Sequence, residues 1–295
     1  MSKPSEILKS AQQKKYAIGA FNFSTAEILK AIIQVAKQLN SPAILATSEK
    51  EADFIGYKEA AVLVEAWRIA TKLPLILNLD HGKSLNTIKM AIEAGYNAVH
   101  FDGSEFPYEE NIRRTREVVD YVRQAEKKMG REIIVEGELG YLRGASKIHE
   151  EAIEIKESDL TAPWQAQDFI EQTGIDSLAV VIGNAHGIFA KGQEILNLER
   201  LAQINETIGE KAFLVLHGGS GIVEEQIRKA IQLGIVKINI NTELRVAYQA
   251  GLKEEIAAHP QETTPYKILE PAFEAVKKVV SDKIWLFGSA GKANF

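Results

Sequence analysis

The chain has 295 residues, 45% of them hydrophobic, with 35 Lys and Arg against 40 Asp and Glu and no cysteine. A net charge of -5 argues against a broad nucleic-acid surface, which needs clustered Lys and Arg, but leaves room for a local basic pocket that holds a small phosphate. Lacking cysteine, the chain has no disulfide or thiolate metal site, and an intracellular protein is suggested. Its N-terminal stretch has no apolar signal-peptide centre, and no run reaches the roughly 18 apolar residues of a spanning helix. A soluble, cytoplasmic protein without a membrane or nucleic-acid partner is expected.

In chain order, eight short β-rich runs are predicted: Ala17–Asn22, Ala43–Thr47, Leu75–Asp80, Ala98–Phe101, Ile133–Glu138, Ser177–Ile182, Ala212–Leu216 and Ile235–Ile240. Amphipathic stretches separate them. In the first, Ile28, Leu29, Ile32, Ile33 and Ala36 recur at the i, i+3, i+4 spacing of one helix face. Others run near Lys58–Ala70, Leu85–Ala94, Tyr108–Lys128, Ala166–Gln172 and Glu224–Leu233. Eight β/α units without a compositional break predict an α/β fold of the (β/α)8, or TIM barrel, type, one domain over residues 1–295. The surplus length falls in a polar segment over residues 141–159, read as a mobile lid, and in a helical tail over residues 243–295. A doubly wound open sheet is the alternative.

Barrel enzymes place their sites at the C-terminal ends of the strands. Those ends read Asn22, Ser48, Asp80 with His81, Asp102, Glu136 and Glu138, Asn184 and His186, His217, then Asn239 and Asn241. Every strand ends in a polar group, and a complete ring of them marks a site. Three of the six histidines belong to it, each beside glycine: Asp80-His81-Gly82, His186-Gly187 and His217-Gly218-Gly219. Three imidazoles from separate strands suit a zinc ion with an open coordination position. His100 lies inside the run AVHF, where a core or inter-element role fits it, so it stays outside the metal set; His149 and His259 stand in polar stretches and read as exposed.

Neighbouring strand residues face opposite ways, so Asp80 and His81 share a pocket only where the strand ends or twists. There Asp80 can move a proton beside a metal-bound oxygen; otherwise it caps the following helix. Glu136 and Glu138 share one strand face, and buried carboxylates need partners or a cation. Lys237 is one such partner, and a second metal position with Asp102 is the other. Gly218-Gly219-Ser220-Gly221 and Asn239-Ile240-Asn241-Thr242 each precede a helical pattern, after strands seven and eight, where barrels frequently seat a phosphate.

Together these residues resemble the class II, metal-dependent ketose-bisphosphate aldolases, the fructose- and tagatose-bisphosphate enzymes. The likeness runs through GAFNFSTAEIL, LDHG, FDGS, the EENI of Pro107–Ile112, VEGELG, IGNAHG, LHGGSG and KININTEL, in order over nearly the whole chain. It implies zinc ligands at His81, His186 and His217, with cobalt or iron as other candidate metals. Asp102 and Glu138 match an alternative metal site, and Asp80 matches the family's catalytic aspartate. Gly187, Gly218, Ser220, Asn239 and Thr242 match groups that hold the dihydroxyacetone-phosphate end, with Gly219 and Asn241 in the same two motifs. Gly187 and Gly218 also match carbonyls offered to a monovalent cation, and Asn22 and Ser48 match positions near the substrate.

The implied reaction is aldol cleavage of a ketose 1,6-bisphosphate between C3 and C4, with the metal as Lewis acid for the enediolate. Fructose 1,6-bisphosphate is the first candidate, in glycolysis and carbohydrate metabolism, with tagatose bisphosphate as the alternative. A homo-oligomer, dimer or tetramer, is expected.

The chain departs from the family after ELG, where many relatives carry Gly-Gly followed closely by Glu-Asp. Here Tyr141–Asp159 reads YLRGASKIHEEAIEIKESD, and Glu150 and Glu151 are the candidate acids that protonate the enediolate carbon. Asn184 stands where Thr is usual and Glu105 where His is frequent; Ala190 then Lys191 replace a lysine common four residues after the second zinc histidine. These changes bear on the lid acid and on substrate stereochemistry, not on the metal site. Three rivals are a metal hydrolase, a Schiff-base aldolase using Lys237, and a non-catalytic barrel accompanying an aldolase. The first lacks a His-x-His on strand one, the second leaves three histidines unused, and the third could have lost Asp80 or a ligand, yet all are present.

Overall fold

The computed structural model describes residues 3–151, 153–189 and 195–294. Its strands are β1 (Ile18–Asn22), β2 (Ala43–Ser48), β3 (Leu75–Gly82), β4 (Ala98–Phe101), β5 (Ile134–Leu139), β6 (Gly144–His149), β7 (Ser177–Val180), β8 (His186–Phe189), β9 (Phe213–Leu216) and β10 (Ile235–Ile240). Eight of them form a closed parallel barrel in the order β1-β2-β3-β4-β5-β7-β9-β10, and β10 pairs back to β1 with Ile18 opposite Lys237. This is the TIM barrel expected, with all eight predicted strands in it. The two remaining strands, β6 and β8, pair with each other outside the barrel.

Side chains alternate across each strand, and that period of two divides the core. One set, including Leu45, Leu77, Val99, Val135, Leu178 and Leu214, packs among the surrounding helices. The other points inward: Ile18, Ala20, Ile44, Ile76, Ala98, Ile134 and Val236 form a separate cluster with Ile7, Leu8 and Ala11 of helix α1 (Pro4–Lys14). Helix α1 therefore plugs the N-terminal end of the barrel. Continuing each inward column by two residues reaches Asn22 from Ala20, Asp80 from Asn78, Asp102 from His100, and Glu138 from Glu136. The interior is apolar at its plugged end and polar at the other.

The helices follow in order: α2 (Ala26–Gln38), α3 (Glu49–Ile55), α4 (Tyr57–Thr71), α5 (Leu85–Ala94), α6 (Tyr108–Met129), α7 (Pro163–Thr173), α8 (Leu198–Ile208), α9 (Glu224–Gln232), α10 (Thr242–Ala258) and α11 (Pro265–Phe287). The last two form the expected helical tail, and the Phe287 carbonyl accepts the N–H of Ala17 just ahead of β1. Helices α1, α3 and α8 were not among the predicted elements. Helix α8 buries Leu201, Ile204 and Ile208, and α3 is a short turn capped by Ser48 and Glu51. None of the described helices is long and apolar enough to cross a membrane.

The segment over residues 141–159 is more ordered than a polar loop. Its β6 lies beside β8, with Gly144 opposite His186 and His149 opposite Phe189. The N–H of Tyr141 donates to the Asp159 carbonyl at 2.8 Å, and Arg143 makes a two-pronged contact with the Asp159 carboxylate at 2.6 and 2.9 Å. Chain reversal is closed at its base, and its middle is laid along the strand that begins with His186.

Candidate active site and metal centre

A cavity of about 400 Å³ opens at the strand C-termini, lined by Asn22, Ser48, Asp80, His81, His186, Gly187, His217, Gly218, Ser220, Asn239, Asn241 and Thr242. Ser24, Lys50, Glu51, Phe54, Ser146 and Arg245 complete the lining. The ring of strand ends thus converges on one space.

Local backbone geometry answers how Asp80 and His81 can share it. His81 has φ of 52°, a left-handed conformation costly for a residue with a Cβ, and the β3–β4 register shifts between Leu79 and Gly82. The strand twists between the two residues, so consecutive side chains reach the same pocket. His100 supports this bend: its Nδ1 accepts the backbone N–H of His81 at 3.2 Å.

Around the bend the histidines cluster. Ring centroids of His100, His186 and His217 lie 4.7, 4.8 and 4.7 Å from that of His81. Nε2 of His81 is 3.1 Å from Nδ1 of His217, close to the ~3.3 Å between two nitrogens on one tetrahedral ion. The far nitrogens are tied back: Nδ1 of His81 to Asp102 at 2.8 Å, and Nε2 of His217 to Glu136 at 2.7 Å. Metal-bound imidazoles show this carboxylate backing, which fixes their tautomer. A second group, His81, Asp102 and Glu138, also brings three ligand atoms together. Among the described residues, neither oxygen of buried Glu138 finds a hydrogen bond, although Nε2 of His100 stands 3.1 Å away. Orphaned carboxylate oxygens beside histidines fit a cation. The first group is Asp80, His81, His100 and His217; His186 joins neither group, although its ring lies 4.8 Å from that of His81, and the residues present could hold a metal at either group.

Glu136 and Glu138, on one strand face, part company. Glu136 takes Lys237, at 2.7 Å, together with His217, whereas Glu138 turns to the His81–Asp102 group. Lys237 is only 3% exposed and is not among the cavity-lining residues, so it offers no free amine for a Schiff base.

Charge in this cluster is set by burial against close neighbours. Burial lowers the pKa of His81, but the Asp80 charge and the Asp102 hydrogen bond reverse that and raise it to about 9. His186 is pushed down to about 3 by burial and by the neighbouring His81 and His217. His217 is lowered by burial despite Glu136. Burial would raise Asp80, yet His81, His217 and Lys237 together hold it well below the usual carboxylate range. Asp80 is also braced, with Asn22 Nδ2 donating to one oxygen at 3.0 Å and Asn239 Nδ2 to the other at 2.8 Å.

The glycine motifs are shaped by close approach. A Cβ on Gly218, at φ of 64°, would lie 2.0 Å from the Ala185 carbonyl oxygen, and one on Gly187 would lie 2.6 Å from the Lys147 oxygen. Gly219 donates its N–H to the Asn239 carbonyl and does not itself line the cavity. Ser220 and Thr242 are buried beside it, at the turn after β9 and the first residue of α10.

Other expected residues fall elsewhere. Glu150 and Glu151, directly after β6, are exposed and outside the cavity lining, whereas Ser146 of β6 lines it. Asn184 is fully buried, accepting the Ile182 N–H and donating to the His217 carbonyl. Glu105 is exposed, 3.5 Å from Lys83. Ala190 and Lys191 lie outside the described residues. Sequence reasoning passed over Glu51, Lys83, Lys50 and Arg245. Glu51 had a readable signal in Ser48-x-x-Glu51, a capping box opening a helix. Lys83, which contacts Asp102 at 2.7 Å, had none beyond its place after Gly82.

Comparison with known proteins agrees with this geometry. The family model described as class-II fructose-bisphosphate aldolase matches residues 2–292. The YdjI aldolase of Escherichia coli is 34% identical, with 99% of each chain covered and a TM-score of 0.82. A putative fructose-1,6-biphosphate aldolase from Coccidioides immitis is 29% identical, covering 99% of this chain and 98% of its own, with a TM-score of 0.86. The fructose-bisphosphate aldolase of Campylobacter jejuni, at 24% identity, shares the fold with a TM-score of 0.81 over 98% of this chain and 95% of its own. With a barrel, a histidine cluster able to hold a metal and a family match from end to end, the chain belongs to the class II fructose-bisphosphate aldolases, metal-dependent carbon–carbon lyases.

Proposed function

We propose that the protein reversibly cleaves a ketose 1,6-bisphosphate, fructose 1,6-bisphosphate in first place, to dihydroxyacetone phosphate and glyceraldehyde 3-phosphate. The setting of Asp80 carries this reading: braced by two amides, it lies 4.0 Å from Nε2 of His81 and 3.8 Å from Nδ1 of His217. Breaking the C3–C4 bond begins with removal of the C4 hydroxyl proton. Asp80, kept ionised by the surrounding positive charge, is the base that takes it. A metal on His81, His186 and His217, zinc before cobalt or iron, supplies Lewis acidity for charge building on the ketone oxygen, a contribution of several kcal/mol. Asp102 and Glu138 offer it a second position.

Backbone and hydroxyl groups of Gly187, Gly218, Ser220, Asn239 and Thr242 hold the phosphate of the dihydroxyacetone end, and the Gly187 and Gly218 carbonyls would serve a monovalent cation. Lys50 and Arg245 line the same cavity and offer charge to the other phosphate. Closure of residues 141–159 excludes water, and Glu150 or Glu151 returns a proton to the carbon. A homo-oligomer belongs to this reading, supported by Ile256, Tyr266 and Trp285, which α10 and α11 leave exposed.

The test is aldol cleavage of fructose and tagatose 1,6-bisphosphates, each with and without chelator. Chelation should abolish cleavage, and zinc or cobalt should restore it. Activity that survives rigorous metal removal overturns the metal role. A fully metal-loaded protein that cleaves neither sugar is a binding companion, not the enzyme proposed.

A further inference from the structure

Glu51, in the first turn of α3, touches three strand ends at once. One carboxylate oxygen accepts the Ser48 backbone N–H at 2.8 Å and the Asn22 side-chain amide at 2.9 Å; the other accepts the Asn241 amide at 3.3 Å. A carboxylate oxygen accepts and does not donate, so both asparagines must turn their NH2 groups toward it. Asn22 uses its second N–H on Asp80 at 3.0 Å. The consequence lies at the other end of each amide. Among the described residues, Oδ1 of Asn22 and Oδ1 of Asn241 are buried without a hydrogen-bond partner, and so is Oδ1 of Asn239, whose NH2 is held by Asp80. All three residues line the cavity. Buried carbonyl oxygens without a donor are rare and costly in folded proteins, so three around one cavity form a surface that seeks donors.

We propose that Glu51 is a positioning residue, which locks the amides of Asn22 and Asn241 so that the cavity presents carbonyl acceptors to the hydroxyl groups of its substrate. An asparagine can turn its amide over with little change of shape, exchanging an acceptor for a donor. Glu51 removes that freedom. The chain of contacts from Glu51 through Asn22 to Asp80 also places the hydroxyl-seeking oxygens beside the proposed base. This inference rests on the aldolase reading, in which a polyol chain supplies the donors.

Glu51→Gln keeps the size of the side chain and changes one end from acceptor to donor. Ser48 and Asn22 both donate at the same oxygen, so the glutamine carbonyl takes that end. Its NH2 then faces Asn241, which must flip and show N–H groups to the cavity. With metal content and thermal midpoint checked in the same samples, kcat/KM for cleavage should fall about tenfold, mostly through KM. Adding Asn241→Asp should bring it back to within about threefold, because the new carboxylate accepts from the glutamine and still offers an oxygen inward. Asn241→Asp alone sets two carboxylates face to face and should lose at least as much as Glu51→Gln.

A merely structural Glu51 would give no such rescue. Parent-like activity of Glu51→Gln, or no recovery in the double variant, overturns the proposal. If Glu51→Gln fails to fold, Asn241→Leu should show the same loss with α3 still capped, and full activity there overturns it. A parent protein that cleaves neither bisphosphate sinks the aldolase reading alone. Positioning is then read from the side-chain amide signals of asparagine-15N protein, where Glu51→Gln should move the Asn241 pair and spare Asn22. An unmoved Asn241 pair removes Glu51 from this role.

Discussion

Nε2 of His81 and Nδ1 of His217 face each other at 3.1 Å, and each ring is held from behind by its own carboxylate, Asp102 or Glu136. Two ring nitrogens with lone pairs aimed together need a proton or a cation between them. The backing carboxylates orient the rings and raise their basicity toward that cation. Replacing such a partner typically costs 10–100-fold in metal affinity. Asp102→Asn should therefore weaken zinc binding by about 10–100-fold, read by competition with a chromophoric chelator. Unchanged affinity would remove His81 from the ligand set.

Glu136 has a second partner whose loss should be felt in stability. Lys237 and Glu136 are each buried, at 3% and 2% exposure, and contact at 2.7 Å. Lys237→Met leaves a buried carboxylate with one partner fewer, a change that costs about 3–5 kcal/mol in comparable pairs. Adding Glu136→Gln should recover much of it. Equilibrium unfolding in denaturant measures both. A loss under about 1 kcal/mol for the single variant would show that His217 alone satisfies Glu136.

Asp80→Ala should retain metal and lose cleavage by at least about a hundredfold, the lower end for acid–base catalysis. Hydrogen exchange into dihydroxyacetone phosphate should suffer less, because that proton is assigned to the lid. Equal losses in both reactions, with metal content unchanged, would mean that Asp80 serves another step.

The barrel was legible because its strands alternate cleanly and end in polar residues, and the site because those ends converge. Helix α1 is faint in the sequence, since Ile7, Leu8 and Ala11 stand in a polar stretch. The run AVHF points to a core or inter-element role for His100, and it does brace the His81 backbone, but it also stands in a group able to hold a metal. Its nearness to the metal cluster had a signal all the same: it precedes Asp102 by two and so shares that inward face. The β6–β8 pairing could not be read at all. Gly144–His149 is exposed along most of its length and lacks an apolar face, and register between isolated strands depends on tertiary placement.

Acid should loosen the base of the lid segment in a definite window. The hydrogen bonds from Arg143 hold the Asp159 pKa below its ordinary value. A depressed carboxyl contributes stability that is fully present above its unfolded pKa of about 4 and is lost as pH falls through the folded value. The difference in thermal midpoint between the parent and Arg143→Ala should thus be flat from neutrality down to about pH 5 and shrink below about pH 4. A difference that shrinks between pH 6 and 8 would assign the effect to another group.

The proposed reading gives the return of a proton to carbon to the segment over residues 141–159. Its strand β6 runs beside β8, so movement of the segment is mechanically joined to His186 at the start of that strand. Ser146 already lines the cavity, and the Arg245 side chain donates to the Ser146 carbonyl at 2.7 Å. Glu150 and Glu151 follow four and five residues later, exposed at the end of β6. A rotation of β6 about its closed base at Asp159 would carry them toward the metal cluster, whereas a segment fixed as it stands would leave them in solvent. Glu150→Gln and Glu151→Gln separate these cases. One of the two should suppress hydrogen exchange at the carbon next to the ketone of dihydroxyacetone phosphate by at least about a hundredfold, with metal content and phosphate binding intact. If both exchange at the parent rate, the acid is neither of them, and that part of the proposal falls.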